Sequence, residues 1–330
     1  MKIISGINGF GRFGLHLLKY YLDRYDRSNF QIAYINDDFL SIEEVIEIVR
    51  NDNYVEFRRY KVLLEDKNIV IKTPEGLVHK FIYSNKPSSE ISWIGKVDLF
   101  FECSGKHTDR NAASVFLKNK TAHVIISATS WDSDATLVYG YNHLDYKKSQ
   151  KIISYGSCTV NGYLPLAQFI DEKYSIIDSD VNVIHNIQNY RLKDNYTVVR
   201  KFCTLEKSAP LLMPKIAELI KVNYTVIPYD GVSTIDFRFR VSKELDLKNF
   251  IIDIKESMNS GSLNELYGMD KIDLGPEVHN CSPFSAVFIE DQIKVLNNNI
   301  YIFSYFDNEN SVNRYFDLVN YIALKLTSNI

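Results

Sequence analysis

A glycine-rich turn between a short apolar strand and a helix constrains the fold of this chain more than any other feature. Residues 2–7 predict a buried strand, and Gly9, Gly11 and Gly14 follow it in the spacing GxGxxG. Apolar residues then recur at helical spacing. The glycines permit a tight turn and close backbone approach, so N–H groups at the start of the helix can hold a pyrophosphate. The pattern predicts a dinucleotide-binding unit, against the alternative of a tight turn that binds nothing.

An acidic residue follows the second predicted strand, residues 30–36. Asp37 lies 23 residues beyond Gly14, close to the ~20 residues expected for a carboxylate that binds a ribose diol. Asp37 would repel a 2′-phosphate, and Asp38 adds a second negative charge. We therefore predict NAD rather than NADP as the cofactor.

The strand-like segments change character along the chain. Short apolar runs at 97–102, 123–127 and 151–154 are typical of strands buried on both faces of a parallel sheet. Residues 235–241 instead alternate apolar and polar side chains, as in a strand with one face in water. We predict an α/β Rossmann-type NAD-binding domain and an α+β catalytic domain with a mainly antiparallel sheet. Apolar residues at helical spacing after Ser311 predict a last helix with that serine as its N-cap.

Composition and charge exclude several classes of protein. The 330 residues are 45% hydrophobic, which is enough apolar material for two cores, and the net charge of −3 favours neither nucleic acid nor an anionic membrane. Neither a membrane span nor a signal peptide is predicted, so we expect a cytoplasmic protein. The four cysteines form no CxxC pair, and the seven histidines show no ligand spacing. We therefore expect no metal site and no disulfide framework.

A second candidate site combines a thiol with an imidazole. Cys158 follows the strand 151–154 at the predicted start of a helix, where the helix dipole lowers a thiol pKa. His185 ends an apolar run 27 residues later, so one strand–helix–strand unit can return it to the same sheet edge. Such a pair activates a cysteine nucleophile, and the histidine can accept the proton lost during hydride transfer. The alternatives are a buried small residue and a satisfied core histidine.

Several ordered segments resemble the glyceraldehyde-3-phosphate dehydrogenase family over nearly the whole chain. They are residues 7–12 (INGFGR), 36–37 (ND), 101–105 (FECSG), 124–127 (VIIS), 157–161 (SCTVN, against the family's SCTTN) and 305–309 (YFDNE). The resemblance implies a cofactor domain of residues 1–156, completed by the last helix, 311–330. Residues 157–310 would then form the catalytic domain.

The resemblance also implies a mechanism and a set of binding residues. Cys158 would attack a short, phosphorylated aldehyde with His185 as base, NAD would take hydride, and inorganic phosphate would release the thioester. The residues implied at the cofactor are Gly9, Phe10, Gly11, Arg12, Phe13, Asp37, Ser104 and Asn308. Those implied at the substrate or phosphate are Ser157, Thr159 and Ser208. The family forms homotetramers, and a shortened segment after His185 leaves a homo-oligomeric tetramer or dimer as the expectation.

The departures from the family fall where it binds phosphate. Gln188 and Tyr190 replace its threonines, and Val226 replaces the arginine of its F-R-V-P segment, which removes a bidentate charged contact. One interpretation is a different aldehyde, with water in place of phosphate. The other is a rebuilt phosphate site, supplied by Arg191, Arg200, Lys201 or Lys207. A reductase acting on an acyl phosphate and a non-catalytic NAD-binding interaction protein are further alternatives.

Overall fold

The chain folds into two compact units. In a computed structural model that describes residues 2–186, 197–229 and 231–328, the first unit comprises Met1–Gly156 with Tyr315–Ile330, and the second comprises Ser157–Arg314. The side chain of Asn308 lies outside the description. Within the described ranges, no helix combines the length and the hydropathy that crossing a membrane would require.

The first unit is built on a mainly parallel sheet, which confirms the predicted Rossmann-type fold. Its strands are β1 Ile3–Asn8, β2 Phe30–Asn36, β3 Lys61–Glu65, β4 Asn68–Lys72, β5 Val78–Ser84, β6 Leu99–Glu102, β7 His123–Ile126, β8 Ala135–Thr136 and β9 Ile152–Ser154; its helices are α1 Arg12–Asp23, α2 Ile42–Asn51 and α3 Arg110–Ser114. The strand order is β3-β4-β5-β2-β1-β6-β7-β9-β8. Because β1 lies between β2 and β6, the order of the strands reverses there. Ligands of such sheets bind outside the carboxyl ends of the strands at this point.

An aromatic cluster covers one face of this sheet. Trp93 is buried and stacks on Tyr34 and Phe100, with ring centroids 5.5 and 5.2 Å apart. Phe100 in turn stacks on Phe116 at 4.1 Å. Rings of this size supply a large part of a domain's buried apolar area, so the cluster holds the sheet that carries the glycine-rich turn.

The second unit contains a mixed sheet with helices, as expected for an α+β domain. Its strands are β10 Ile176–His185, β11 Val199–Arg200, β12 Ile220–Val226, β13 Ser233–Val241, β14 Tyr267–Asp270, β15 Ala286–Ile289, β16 Lys294–Leu296 and β17 Asn299–Phe306; its helices are α4 Cys158–Tyr174, α5 Leu205–Leu212 and α6 Leu247–Ser260. The order is β11-β12-β10-β13-β17-β15-β14, with β16 beside β17. Two pairings, β10 with β12 and β14 with β15, are parallel and the others are antiparallel. The prediction of a mainly antiparallel sheet is confirmed.

The last helix, α7, runs from Asn308 to Thr327 and begins in the second unit. Its start lies three residues before the predicted N-cap, Ser311, and that prediction is wrong. The Ser311 N–H donates to the Asp307 carbonyl, a bond within the first helical turn. Further along, the buried Tyr315 hydroxyl donates to the Ile125 carbonyl at 2.8 Å. The helix therefore ends as part of the first unit.

Candidate functional site

In the turn after β1, two glycines leave no space for a side chain, whereas the third faces open space. Gly9 has a φ of +92°, and a Cβ there would lie 2.4 Å from the backbone of Ser104. A Cβ on Gly14 would lie 2.3 Å from the Gly9 carbonyl oxygen, whereas one on Gly11 would meet no described atom within 4 Å. Gly11 is the N-cap of α1, whose first turn carries neither a side-chain cap nor an acidic residue among those described. This open, positively polarised helix start fits a pyrophosphate.

Asp37 is fixed at the carboxyl end of β2 by backbone donors. One carboxylate oxygen accepts from Phe10 N at 2.7 Å, and the other accepts from Phe39 N and Leu40 N at 2.9 and 3.0 Å. The residue is 8% exposed. Because a carboxylate offers about four acceptor positions, Asp37 keeps capacity for a ribose hydroxyl.

The negative charge of Asp38 is offset by a neighbouring lysine. Its carboxylate forms an ion pair with Lys106, with 2.5 Å between Oδ2 and Nζ. Both side chains are partly exposed. The lysine offsets the charge of Asp38, so Asp37 alone disfavours a 2′-phosphate.

Two other residues predicted at the cofactor turn their side chains to neighbours within the first unit. The Arg12 guanidinium forms an ion pair with Asp52 and lies 5.0 Å from the ring of Tyr54. The Phe13 ring packs edge-on against Tyr155, with centroids 5.5 Å apart. Since these side chains have protein partners, contact with a pyrophosphate would fall to the backbone N–H groups of the first turn of α1.

A buried polar network was missed from the sequence. Glu102, at the end of β6, is fully buried, and its carboxylate accepts from Asn8 Nδ2 at 2.7 Å and from Ser104 N at 2.9 Å. Asn36 Nδ2 donates to Asn8 Oδ1 at 2.9 Å. Burial raises the pKa of the Glu102 carboxyl, and the hydrogen bonds from Ser104 and Asn8 oppose that rise. The network joins the ends of β1, β2 and β6 around Gly9; an acidic residue closing an apolar run was its sequence signal.

Other sequence-predicted residues lie outside the described part of the chain. Gln188, Tyr190 and Arg191 fall in the undescribed segment after residue 186. Asn308 is the first residue of α7, and its backbone is described without its side chain. Its expected contact with the nicotinamide amide therefore stays a prediction.

In the second unit, Cys158 and His185 lie side by side. Cys158 is the first residue of α4, whose N-cap Ser157 accepts from Val160 N at 3.4 Å. His185 is the last residue of β10. The Cys158 Sγ and the His185 Nε2 are 4.0 Å apart, so the strand–helix–strand unit brings together the thiol and imidazole that the sequence singled out.

The hydrogen bonding of His185 fixes its tautomer. Its Nδ1 lies 2.9 Å from the carbonyl oxygen of Asn186. A carbonyl can only accept, so Nδ1 carries the proton and a neutral ring presents an unprotonated Nε2 to the sulfur. His185 is 6% exposed, and the rings of Tyr224 and Phe306 lie at centroid distances of 5.5 and 5.8 Å from its imidazole. This is the form that can accept the thiol proton.

The expected lowering of the Cys158 pKa is not observed. Burial raises the pKa of this thiol, and Cys203, Asp307 and Glu309 act in the same direction, while the backbone N–H of Thr159 opposes them. The side chain is 7% exposed, and the desolvation outweighs the position at a helix start. Cys158 therefore rests as a thiol, and a neighbouring base must take its proton as it reacts.

A cluster of hydroxyls lies at the start of α4. Ser157 Oγ is 3.2 Å from Thr159 Oγ1 and accepts from Thr204 Oγ1 at 2.9 Å. Thr159 Oγ1 also lies 3.5 Å from the Cys203 sulfur. The resemblance predicts Ser208 in this group, but Ser208 lies inside α5 and is only 3% exposed. Thr204, just before α5, joins this hydroxyl group, and the expected role of Ser208 stays a prediction.

Val226, which the resemblance sets in place of the family's arginine, is an apolar residue beside His185. Val226 pairs with His185 across the parallel β10–β12 ladder and is buried. Arg200 pairs with Thr225 and therefore points to the other face of the sheet, where its guanidinium donates to Asn223 at 2.8 Å. Arg200 does not replace the lost guanidinium.

Comparison with known proteins shows what this chain is similar to. Residues 2–110 match the model of the glyceraldehyde 3-phosphate dehydrogenase NAD binding domain. The chain is 26% identical to a cytosolic glyceraldehyde-3-phosphate dehydrogenase of Dianthus caryophyllus over 322 residues, which cover 92% of this chain and 93% of the relative. The chain is 26% identical to the glyceraldehyde-3-phosphate dehydrogenase of Mycobacterium avium over 346 residues, which cover 99% of this chain and 100% of the relative. The chain is 25% identical to the glyceraldehyde-3-phosphate dehydrogenase of Cereibacter sphaeroides over 326 residues, which cover 94% of this chain and 95% of the relative.

Over nearly its whole length the chain is similar, at low identity, to glyceraldehyde-3-phosphate dehydrogenases, and its first 110 residues match that family's NAD binding domain. The domain match confirms NAD as the predicted cofactor. The glycine-rich turn, with its open position at Gly11, fits the pyrophosphate of such a dinucleotide.

Proposed function

We propose that this protein is an NAD-dependent aldehyde dehydrogenase of the phosphorylating type, which oxidises a short aldehyde through a covalent bond to Cys158. Residues 1–156 with the last helix would bind NAD, and residues 157–310 would carry the chemistry. The observation that carries the proposal is the 4.0 Å approach of the Cys158 sulfur to Nε2 of His185.

In the first step the Cys158 sulfur bonds to the aldehyde carbon. His185 Nε2 takes the thiol proton as that bond forms, because burial disfavours a free thiolate. The aldehyde oxygen becomes an alkoxide, for which the Cys158 N–H at the start of α4 is the nearby backbone donor. Bound NAD supplies the acceptor for the hydride, and loss of hydride from the thiohemiacetal leaves a thioester on Cys158.

In the second step inorganic phosphate attacks the thioester and leaves as an acyl phosphate, which restores the Cys158 sulfur. The hydroxyls of Ser157, Thr159 and Thr204 support this step, since they form one hydrogen-bonded group at the start of α4, where Cys158 lies. Hydroxyls at a helix start are suitable partners for a phosphate. A phosphorylated short aldehyde is the substrate that the family resemblance favours.

A different aldehyde, one that is not a triose phosphate, is the alternative within the same mechanism. The buried Val226 beside His185 and the orientation of Arg200 away from it favour this alternative. The same assay separates the two. Purified protein is mixed with NAD and an aldehyde panel, with and without inorganic phosphate, and NADH is followed at 340 nm.

Phosphate-dependent turnover of glyceraldehyde 3-phosphate or erythrose 4-phosphate is the expected result, and turnover of unphosphorylated sugars alone would select the alternative. Cys158→Ser should abolish turnover while NAD binding is retained. Cys281→Ser, at a more exposed cysteine, is the matched control. Wild-type turnover by the Cys158 variant would refute the covalent mechanism.

A non-catalytic NAD-binding interaction protein is the second candidate, and the burial of Cys158 favours it because a raised pKa opposes thiolate chemistry. Iodoacetamide alkylation measured from pH 6 to 10 tests it. If Cys158 reacts no faster than a free thiol at every pH, and His185→Asn has no effect, this candidate is supported. A His185-dependent reaction at neutral pH excludes it.

We also propose a cytoplasmic homo-oligomer, either a tetramer or a dimer. The cytosolic relatives and the family's assembly support this. Light scattering on the eluting peak of a size-exclusion column measures the oligomer mass directly, and a monomer would refute the proposal.

A further inference from the structure

Tyr224 faces the same side of the second unit's sheet as His185. In the parallel β10–β12 ladder Val183 pairs with Tyr224 and His185 pairs with Val226. Because alternate residues of a strand share a face, the side chains of Tyr224 and His185 project to one side. Their ring centroids are 5.5 Å apart and their planes are tilted by 44°.

Phe306 contacts the imidazole from another strand. Its ring lies edge-on to His185, at a centroid distance of 5.8 Å and an interplanar angle of 83°. The Nδ1 contact with the Asn186 carbonyl holds one edge of the imidazole. A hydrogen bond at one edge does not by itself fix the plane of a ring, so the two aromatic side chains limit its rotation.

We propose that Tyr224 is a positioning residue, which holds the His185 ring in the orientation that presents Nε2 to Cys158. The inference rests on the proposed function, in which His185 is the base for Cys158. It assigns the effect to the tyrosine ring rather than to its hydroxyl. Phe306 contacts the ring edge-on, so loss of Tyr224 leaves the imidazole without its tilted aromatic neighbour.

The electrostatics of Tyr224 agree with this assignment. Burial raises the pKa of its phenol, and negative charge on Cys158 or Cys203 would add to that rise. The phenol therefore stays protonated and neutral while Cys158 reacts. A neutral ring that keeps one charge state suits a fixed packing surface beside a base.

A double-mutant cycle on the alkylation rate of Cys158 tests the proposal. The second-order rate with iodoacetamide is measured at pH 8 in the full-length protein and in its His185→Asn variant, and their ratio is the contribution of His185. The same ratio is then measured in Tyr224→Phe, Tyr224→Val and Tyr224→Thr backgrounds. The cycle cancels changes in solvent access that alter both rates equally. It does not depend on dehydrogenase activity.

We expect the ratio to stay at its wild-type value with Tyr224→Phe, which keeps the ring. With Tyr224→Val and Tyr224→Thr it should fall by roughly tenfold, about the rate equivalent of one aromatic contact. Both replacements are β-branched and suit a strand, so either one alone suffices if the other fails to fold. Tyr301→Val, at a tyrosine 38% exposed on β17, is the matched control and should keep the wild-type ratio.

An undiminished ratio in the valine and threonine backgrounds would overturn the inference. A ratio of one in the otherwise wild-type protein is a different failure. It would refute the role proposed for His185 itself, and the positioning role with it.

Discussion

Gly14 and Gly11 form a matched pair of positions in one turn, and we predict opposite consequences for Gly14→Ala and Gly11→Ala. A Cβ on Gly14 would lie 2.3 Å from the Gly9 carbonyl oxygen, more than 1 Å inside ordinary van der Waals contact. That oxygen belongs to backbone packed against Ser104, so it cannot move aside as a flexible side chain would. A Cβ on Gly11 would enter open space.

The expected magnitudes follow from these contacts. Overpacking of this kind costs about 3 kcal/mol, and the helix propensity of alanine at Gly14 offsets about 1 kcal/mol of it, which leaves a net loss of about 2 kcal/mol. For a unit of this size the melting temperature should fall by about 4–8 °C. Gly11→Ala exchanges one weak N-cap for a weaker one and should cost about 0.5 kcal/mol.

NAD binding should respond in a different way. The methyl group of Gly11→Ala would occupy the space in which a pyrophosphate reaches the start of α1, so the Kd for NAD should rise at least about tenfold, the equivalent of one charge-assisted hydrogen bond. Thermal unfolding and isothermal titration with NAD measure both effects on the same samples. A Gly14→Ala protein that melts at the wild-type temperature would refute the steric reasoning. Wild-type NAD affinity in Gly11→Ala would refute the location of the pyrophosphate.

Three further predictions concern other parts of the chain. Thr204→Val should raise the KM for inorganic phosphate about tenfold by removing a hydroxyl from the cluster, with Ser208→Ala unchanged; in steady-state kinetics, an effect of Ser208→Ala alone would place the phosphate at Ser208 instead. Tyr315→Phe should lower the free energy of unfolding by about 1 kcal/mol in urea titrations, since the buried hydrogen bond from the Tyr315 hydroxyl to the Ile125 carbonyl is lost; an unchanged midpoint would contradict this. Burial lowers the pKa of His123 to about 4 from an ordinary 6.5, so the folded state binds fewer protons than the unfolded state. Stability should be complete above pH 6.5 and fall by at most about 3 kcal/mol towards pH 4; His123→Gln should flatten that slope.

The sequence predicted the first unit well because its signals are local. A GxGxxG turn, the apolar strand before it and the acidic residue after the next strand each depend on a few adjacent residues. The buried hydrogen bonds of Glu102 were not predicted, because the sequence of residues 97–102 does not show which donors its carboxylate will meet. Asn8 and Ser104 reach it only after β1 and β6 pair.

The second unit was predicted less completely because its site depends on burial and on register across a divergent segment. The juxtaposition of Cys158 and His185 followed from the length of one strand–helix–strand unit. The direction of the Cys158 pKa did not, since desolvation arises from tertiary packing. The resemblance to the family's S-T-G-A turn selected Ser208, and the hydrogen bond from Thr204 to Ser157, which depends on how α5 packs, was not predicted.

The first unit is made of two segments that are far apart in the sequence, and this separation sets the order in which its parts are synthesised. Its sheet is encoded by residues 1–156, but its last helical segment begins at Tyr315, after the whole second unit. At ordinary translation rates the ribosome needs roughly ten to thirty seconds to add the residues between them. During that interval the surface that receives Tyr315 lacks its partner, and the second unit is free to fold. We infer that the first unit, although its sheet is synthesised first, is completed last. A nascent chain stalled before Tyr315 would therefore expose apolar surface to chaperones.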